Sequence, residues 1–75
     1  MKLKRARTVT EYSREWRTAG DEYAVRESAI PGYGKRYYAL ANTLSGWRSI
    51  ERRSDRLPKT YRTKQQAIDV IAKQF

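Results

Sequence analysis

The C-terminal segment, residues 61–75, carries the clearest hydrophobic pattern in the chain. Apolar residues recur there at spacings of three and four, which places them on one face of a helix: Ala67, Ile68, Ile71, Ala72 and Phe75. Thr63 and Gln66 have the spacing of a capping box, in which side chains and backbone amides bond reciprocally at a helix start. The pattern predicts an amphipathic helix whose apolar face packs on the rest of the domain.

The middle of the chain has the alternating pattern of β-strands. Three segments are rich in strand formers and are predicted to pair as one antiparallel sheet: residues 22–27, 35–44 and 47–53. Pro31 and Gly32 fit the central positions of a type II turn, which requires a positive φ at the second of them. Ser45-Gly46 predicts the next turn, and residues 54–59 form a charged loop before the helix.

Residues 8–19 are compatible with two structures. Apolar residues recur at helical spacing, and Thr8 with Glu11 fits a second capping box, so a helix is the preferred prediction. The alternative is a strand in a hairpin that turns at Ala19-Gly20 and brings Trp16 opposite Tyr23.

The predicted fold class is α+β. It has a small antiparallel three-stranded sheet with a C-terminal helix and an N-terminal helix on one face, in the order α-β-β-β-α. If residues 8–19 form a strand, the order becomes β-β-β-β-α. Both arrangements leave one sheet face uncovered. The 75 residues fit one small domain at residues 8–75, preceded by a flexible basic arm at residues 1–7.

Composition narrows the function classes. The chain has no cysteine and no histidine, so it lacks disulfides, thiolate metal sites and the commonest general base, and its acids are scattered. We therefore expect no catalysis and no cofactor. No uncharged stretch approaches the ~20 residues of a membrane span, and the basic N-terminus has no apolar run behind it. A cytoplasmic protein is expected. Its core is thin in Val, Ile and Leu, which makes a homodimer a further option.

Charge gives the strongest indication of a partner. The 75 residues carry 17 Lys and Arg against 8 Asp and Glu, a formal net charge of +9. Most of the cations are arginines, which favour bidentate contacts with phosphate or carboxylate. A small domain of this charge is typical of polyanion binding, so nucleic acid is the predicted partner, with DNA preferred over RNA.

The stretch AIPGYGKRYYAL, residues 29–40, contains the first group of candidate binding residues. Its glycines are too closely spaced for a phosphate-binding loop, and a strand follows them, so they predict a hairpin connection. Tyr37 and Tyr38 must point to opposite sheet faces. With Tyr38 on the core side beside Leu40, Tyr37 would be exposed on the side of Lys35, next to Arg36 in the chain, and would offer a stacking surface for bases. The alternative is that Tyr37 covers the second sheet face or packs under the first segment, residues 8–19.

A second basic cluster spans residues 48–64. Seven cations from the last strand, the loop and the helix start are predicted to converge on one sheet edge, where free helix amides add an attraction for anions: Arg48, Arg52, Arg53, Arg56, Lys59, Arg62 and Lys64. Three cations of the arm add non-specific phosphate contacts: Lys2, Lys4 and Arg5.

Two families resemble this outline. The order α-β-β-β-α, with Thr63 and Lys64 opening the last helix, is similar to double-stranded-RNA-binding domains. Three strands followed by a helix resemble the arm-binding domains of phage integrases, whose sheet enters the DNA major groove. The chain lacks the lysine run and the loop histidine of the first family, so no family is assigned. The leading hypothesis is a non-catalytic module for duplex DNA, and the alternative is an accessory or inhibitor that docks on an acidic protein.

Overall fold

The strands of this protein pair in the order in which they occur along the chain. The computed structural model describes residues 3–6, 13–30, 32, 34–54 and 57–74. These residues form one antiparallel five-stranded sheet and one C-terminal helix: β1 (Leu3–Ala6), β2 (Ser13–Thr18), β3 (Tyr23–Ile30), β4 (Gly34–Thr43), β5 (Gly46–Ser49) and α1 (Lys64–Ala72). The predicted α+β class with an antiparallel sheet and a C-terminal helix is confirmed.

The predicted N-terminal helix and the three-stranded sheet are wrong. Within the described residues no helix precedes the sheet, because Ser13–Thr18 pair with β3 as strand β2. The hairpin alternative was therefore correct for these residues, but its register differs, since Trp16 lies opposite Val25 rather than Tyr23. The order α-β-β-β-α, on which the similarity to double-stranded-RNA-binding domains rested, is not found in the described chain.

Part of the predicted basic arm is a strand. Leu3–Ala6 form β1, which pairs with β2 and brings Arg5 opposite Trp16. Leu3 packs against the hydrophobic core, so this strand adds apolar contacts as well as charge. The remaining arm residues, 1–2 and 7, lie outside the described residues.

Helix α1 covers one face of the sheet, which we call the helix face. Directly opposed residues of neighbouring strands share a face, and Trp16, Val25 and Ala39 form such a row across β2, β3 and β4. The core cluster combines this face with the helix: Val25, Ala39, Tyr61, Ala67, Val70 and Ile71. Small alanine and valine side chains on the sheet let the helix approach closely.

The predicted faces of β4 are reversed. Tyr37 and Ala39 lie on the helix face, whereas Tyr38 and Leu40 lie on the opposite face. We call that opposite side the open face, because no described element packs over it: its strand residues are Lys4, Ala6, Glu15, Arg17, Ala24, Arg26, Ser28, Arg36, Tyr38, Leu40, Asn42, Trp47 and Ser49.

The third predicted strand, residues 47–53, ends early. After β5, residues 51–54 and 57–59 form two hydrogen-bonded arms, and we call these described residues the basic hairpin. Backbone bonds join its arms, from Lys59 N to Glu51 O (3.1 Å) and from Arg53 N to Leu57 O (2.9 Å). The chain then returns to β4, where Tyr61 and Tyr37 exchange backbone hydrogen bonds of 2.8 and 2.9 Å.

The C-terminal helix follows the sequence prediction closely. The capping box of Thr63 and Gln66 is present, with both reciprocal bonds formed. Ala67 and Ile71 are fully buried as predicted, and Val70 joins them, whereas Ala72 is exposed. Phe75 lies outside the described residues. Among the described residues, no helix is long and apolar enough to cross a membrane.

Candidate nucleic-acid interface

The open face has an ion-pair cluster around the buried carboxylate of Glu15. Glu15 on β2 lies opposite Arg26 on β3, and Arg17 is two residues further along the same side of β2. Arg17 Nε donates to Glu15 Oε2 at 2.6 Å, and Arg26 Nε donates to Glu15 Oε1 at 2.8 Å. The carboxylate is therefore fully engaged, while both guanidinium groups keep donors for a further anion.

The protonation of Glu15 follows from these contacts. Burial alone would raise the pKa of its carboxyl group, but the hydrogen bonds and charges of Arg26 and Arg17 outweigh burial, and the pKa is lowered from its usual value. The cluster thus carries one negative and two positive charges at neutral pH.

A cation–aromatic pair covers the apolar part of the open face. The Arg17 guanidinium lies 5.1 Å from the centroid of the Trp47 ring. Ala24 and Leu40 lie between these two residues in the strand register, and their exposures are only 0% and 5%. The long side chains therefore shield a small apolar patch that would otherwise face water.

The basic hairpin borders the open face at Tyr38. An open groove lies between them and is lined by Tyr38, Arg52, Arg53, Leu57, Pro58, Lys59 and Thr60. Lys59 Nζ is 3.5 Å from Glu51 Oε2, so the acid of the hairpin base is already paired. The described residues of the hairpin carry three cations, Arg52, Arg53 and Lys59, against one carboxylate, Glu51, so the groove is electropositive.

The structure separates the predicted site residues into several groups. Arg36 and Lys4 lie on the open face, and three predicted cations lie together on the basic hairpin: Arg52, Arg53 and Lys59. Lys35, Arg5 and Arg48 instead belong to the helix face by their register. Lys2 and Arg56 lie outside the described residues.

Tyr37 does not form the predicted exposed platform. It packs against the core, and its hydroxyl donates a 2.9 Å hydrogen bond to Glu27, which is 6% exposed. Burial raises the pKa of Tyr37, and the bond to Glu27 and the charge of Glu27 raise it further. Tyr37 therefore packs on the helix face and stabilises the fold, and its ring is not free to stack on a base.

The helix start is not the free anion site that the sequence predicts. The Gln66 side chain accepts hydrogen bonds from the backbone amides of Arg62 (3.1 Å) and Thr63 (3.3 Å). Lys64 Nζ lies 4.0 Å from the Trp16 ring centroid, so this cation is directed to the helix face. The capping box therefore already uses the Thr63 amide. Arg62 lines a second groove with Lys59 of the basic hairpin, and Glu51 and Asp69 supply carboxylates there.

The sequence did not identify four residues that supply cations and aromatic rings to the open face: Arg17, Arg26, Tyr38 and Trp47. The period-two alternation of Glu15 and Arg17 was a usable signal, but it has meaning only if residues 13–18 form a strand. Since the helix was preferred there, these side chains were not placed on a common surface.

The described residues contain no group of three or more acidic, histidine or cysteine side chains that could hold a metal ion. No family model matches the chain, and no curated protein or solved structure matches it. Function is therefore inferred from the side chains of the open face and the basic hairpin.

Proposed function

We propose that this protein is a non-catalytic nucleic-acid-binding module that holds phosphate groups on the open face and the basic hairpin, and we take duplex DNA as the first ligand to test. The observation that carries the proposal is an excess of described cations over described carboxylates on the open face and the basic hairpin. On the open face, Glu15 is the one carboxylate among the described strand residues, and two arginines already bind it. On the hairpin, Glu51 is paired with Lys59.

The remaining cations are well placed for phosphate contacts. Arg36 is half-buried on the open face, and Arg53 is exposed on the hairpin. Neither has an ion-pair partner within the described part of the chain. Each phosphate that such a group neutralises releases counterions from nucleic acid and contributes a slope of about 0.9 to the dependence of log affinity on log salt.

An acidic protein partner is the second candidate function. Leu57 on the hairpin is 56% exposed, and Leu44 at the β4–β5 turn is fully exposed. Arginines are enriched in protein-binding hot spots as well as on nucleic-acid surfaces, and these exposed leucines add apolar contact area for a protein partner. This observation favours a docking role if nucleic acid does not bind.

The test compares two double charge reversals that change the net charge equally. Arg36→Glu with Arg53→Glu alters the proposed surface, whereas Lys35→Glu with Arg48→Glu places the same charges on the helix face. Binding of a short DNA duplex is titrated at several salt concentrations. We expect the first variant to lower the salt slope by about 0.9 for each lost phosphate contact and to weaken binding at least about tenfold.

The helix-face control should keep the slope of the unmodified protein and lose only long-range attraction. Equal behaviour of the two variants would mean that net charge alone governs binding, and the proposed surface would be rejected. If the unmodified protein binds no nucleic acid at about 100 mM salt, the proposal fails and the acidic protein partner becomes the function to test.

A further inference from the structure

The groove between Tyr38 and the basic hairpin combines an aromatic ring with cations on two sides. Tyr38 is half-buried on the open face and lies opposite Arg26 of β3. Across the groove, Arg52, Arg53 and Lys59 line the wall formed by the hairpin. A planar aromatic group flanked by positive charges matches the two parts of a nucleotide, which are a planar base and a charged phosphate.

The hairpin wall is preformed by its own backbone. Besides the two bonds that join its arms, Ser54 N bonds to Leu57 O at 3.3 Å, and Arg52 and Pro58 form a bridge pair. A wall held in this way loses less conformational freedom on binding than a free loop, so contacts made there contribute more of their energy to affinity.

Tyr38 is better suited to a stacking role than the other aromatic residues near this surface. Trp47 shares the open face, but the Arg17 guanidinium lies over its ring. Tyr37 points to the helix face and is bound to Glu27. Tyr61 is 8% exposed and lies within the core cluster.

We propose that this groove is a binding subsite for one unpaired nucleotide, with the base stacked on Tyr38 and an adjoining phosphate held by Arg53 on the hairpin. This inference rests on the proposed function and specifies the form of nucleic acid that it favours. Bases inside a duplex are paired and stacked on each other, so they reach Tyr38 only after unstacking. The subsite therefore selects single strands or single-stranded overhangs over blunt duplexes, without strong preference among the bases.

The test uses three fluorescently labelled ligands of equal phosphate number: a single-stranded DNA, the same strand with abasic sites, and a blunt duplex. The variants are Tyr38→Phe, which keeps the aromatic ring, and Tyr38→Leu and Tyr38→Ala, which remove it. Circular dichroism melting identifies variants that remain folded. Because Tyr38→Leu preserves an apolar side chain on the sheet, it keeps the test decisive if Tyr38→Ala does not fold.

We expect Tyr38→Leu to weaken binding of the single strand by roughly fivefold to hundredfold, the usual range for loss of one stacked base. Binding of the abasic strand and the blunt duplex should change by less than about twofold, and Tyr38→Phe should behave as the unmodified protein. Equal affinity for single strand and blunt duplex, or an equal loss on all three ligands, would overturn the subsite while leaving the proposed function intact. Failure of every ligand to bind would overturn both.

Discussion

Glu15 shows how one residue can stabilise the fold and at the same time limit the charge of a binding surface. Its side chain is 5% exposed, whereas those of Arg17 and Arg26 are 34% and 43% exposed. The carboxylate therefore holds two partly hydrated guanidinium groups in fixed positions on the open face. Without it, two like charges would lie close together, and Arg17 would keep only its longer contact with the exposed Asp21, at 3.9 Å.

We predict that Glu15→Gln lowers the free energy of unfolding by about 1–2 kcal/mol at neutral pH, because two arginines lose a charged partner while solvent still screens them. The pKa of Glu15 is lowered in the folded state, so its contribution to stability is complete above the usual value of 4.5 and is lost as pH falls through the folded-state pKa.

Urea unfolding at pH 7 and at about pH 3 measures both effects. The difference in stability between the unmodified protein and Glu15→Gln should be large at pH 7 and smaller at pH 3. An unchanged difference between the two pH values would contradict the assigned role of the carboxylate.

At the scale of elements, helix α1 supplies much of the core through a few small side chains. Ile71 is 0% exposed, while its neighbour Ala72 is exposed at the helix end. We predict that Ile71→Asp abolishes folding, because burying an unpaired charge against the sheet costs more than the whole free energy of unfolding of a domain of this size. Ala72→Asp introduces the same charge and should cost less than about 1 kcal/mol.

Circular dichroism melting distinguishes the two variants. Equal melting temperatures for Ile71→Asp and the unmodified protein would show that the buried face of α1 is assigned wrongly. Strong destabilisation by Ala72→Asp would restore the face that the sequence pattern alone predicted, in which Ala72 is buried.

How far the sequence predicts each element depends on the range of the interactions that decide it. The capping box of Thr63 and Gln66 was predictable because all of its atoms belong to one turn of chain. The faces of β4 were not, because Tyr37 and Tyr38 differ only in which side the helix covers, and that choice is made by Tyr61 and α1 far along the chain. Likewise, Trp16 fits a helical pattern locally, but pairing of β2 with both β1 and β3 determines its structure.

The candidate site was predictable to a smaller extent than the fold. The sequence identified the charge of Arg52, Arg53 and Lys59 and the loop that carries them, since these follow from composition and local order. It did not place Arg26 beside Tyr38, because that neighbourhood depends on the register between β3 and β4. The register between strands decides which of these cations and aromatic residues are neighbours on one surface.

At the scale of the whole molecule, the N-terminal residues belong to the folded structure as well as to the charged surface. We predict that deletion of residues 1–6 lowers the free energy of unfolding by about 2 kcal/mol, because it removes the strand partner of β2 and the packing of Leu3 against the core. Lys4→Gln with Arg5→Gln removes the charges but keeps the strand, and should change stability by less than about 0.5 kcal/mol.

Chemical denaturation compares these two proteins, and the salt dependence of DNA binding separates charge from folding. Both should show a lower salt slope, whereas only the deletion should lower the denaturation midpoint. A deletion as stable as the unmodified protein would mean that residues 3–6 act as a charged arm alone, as the sequence first suggested.

The sequential strand order also has a kinetic consequence. Each strand pairs with its chain neighbours, and successive strands are joined by short connections such as residues 19–22 and 44–45. Little loop-closure entropy is lost when such hairpins form, so the sheet has a low contact order for a β-rich protein and belongs to the faster folders of that class. The bridge between Tyr37 and Tyr61 spans a longer stretch of chain. We therefore expect the docking of that segment and of α1 onto the sheet to be the rate-limiting step of folding.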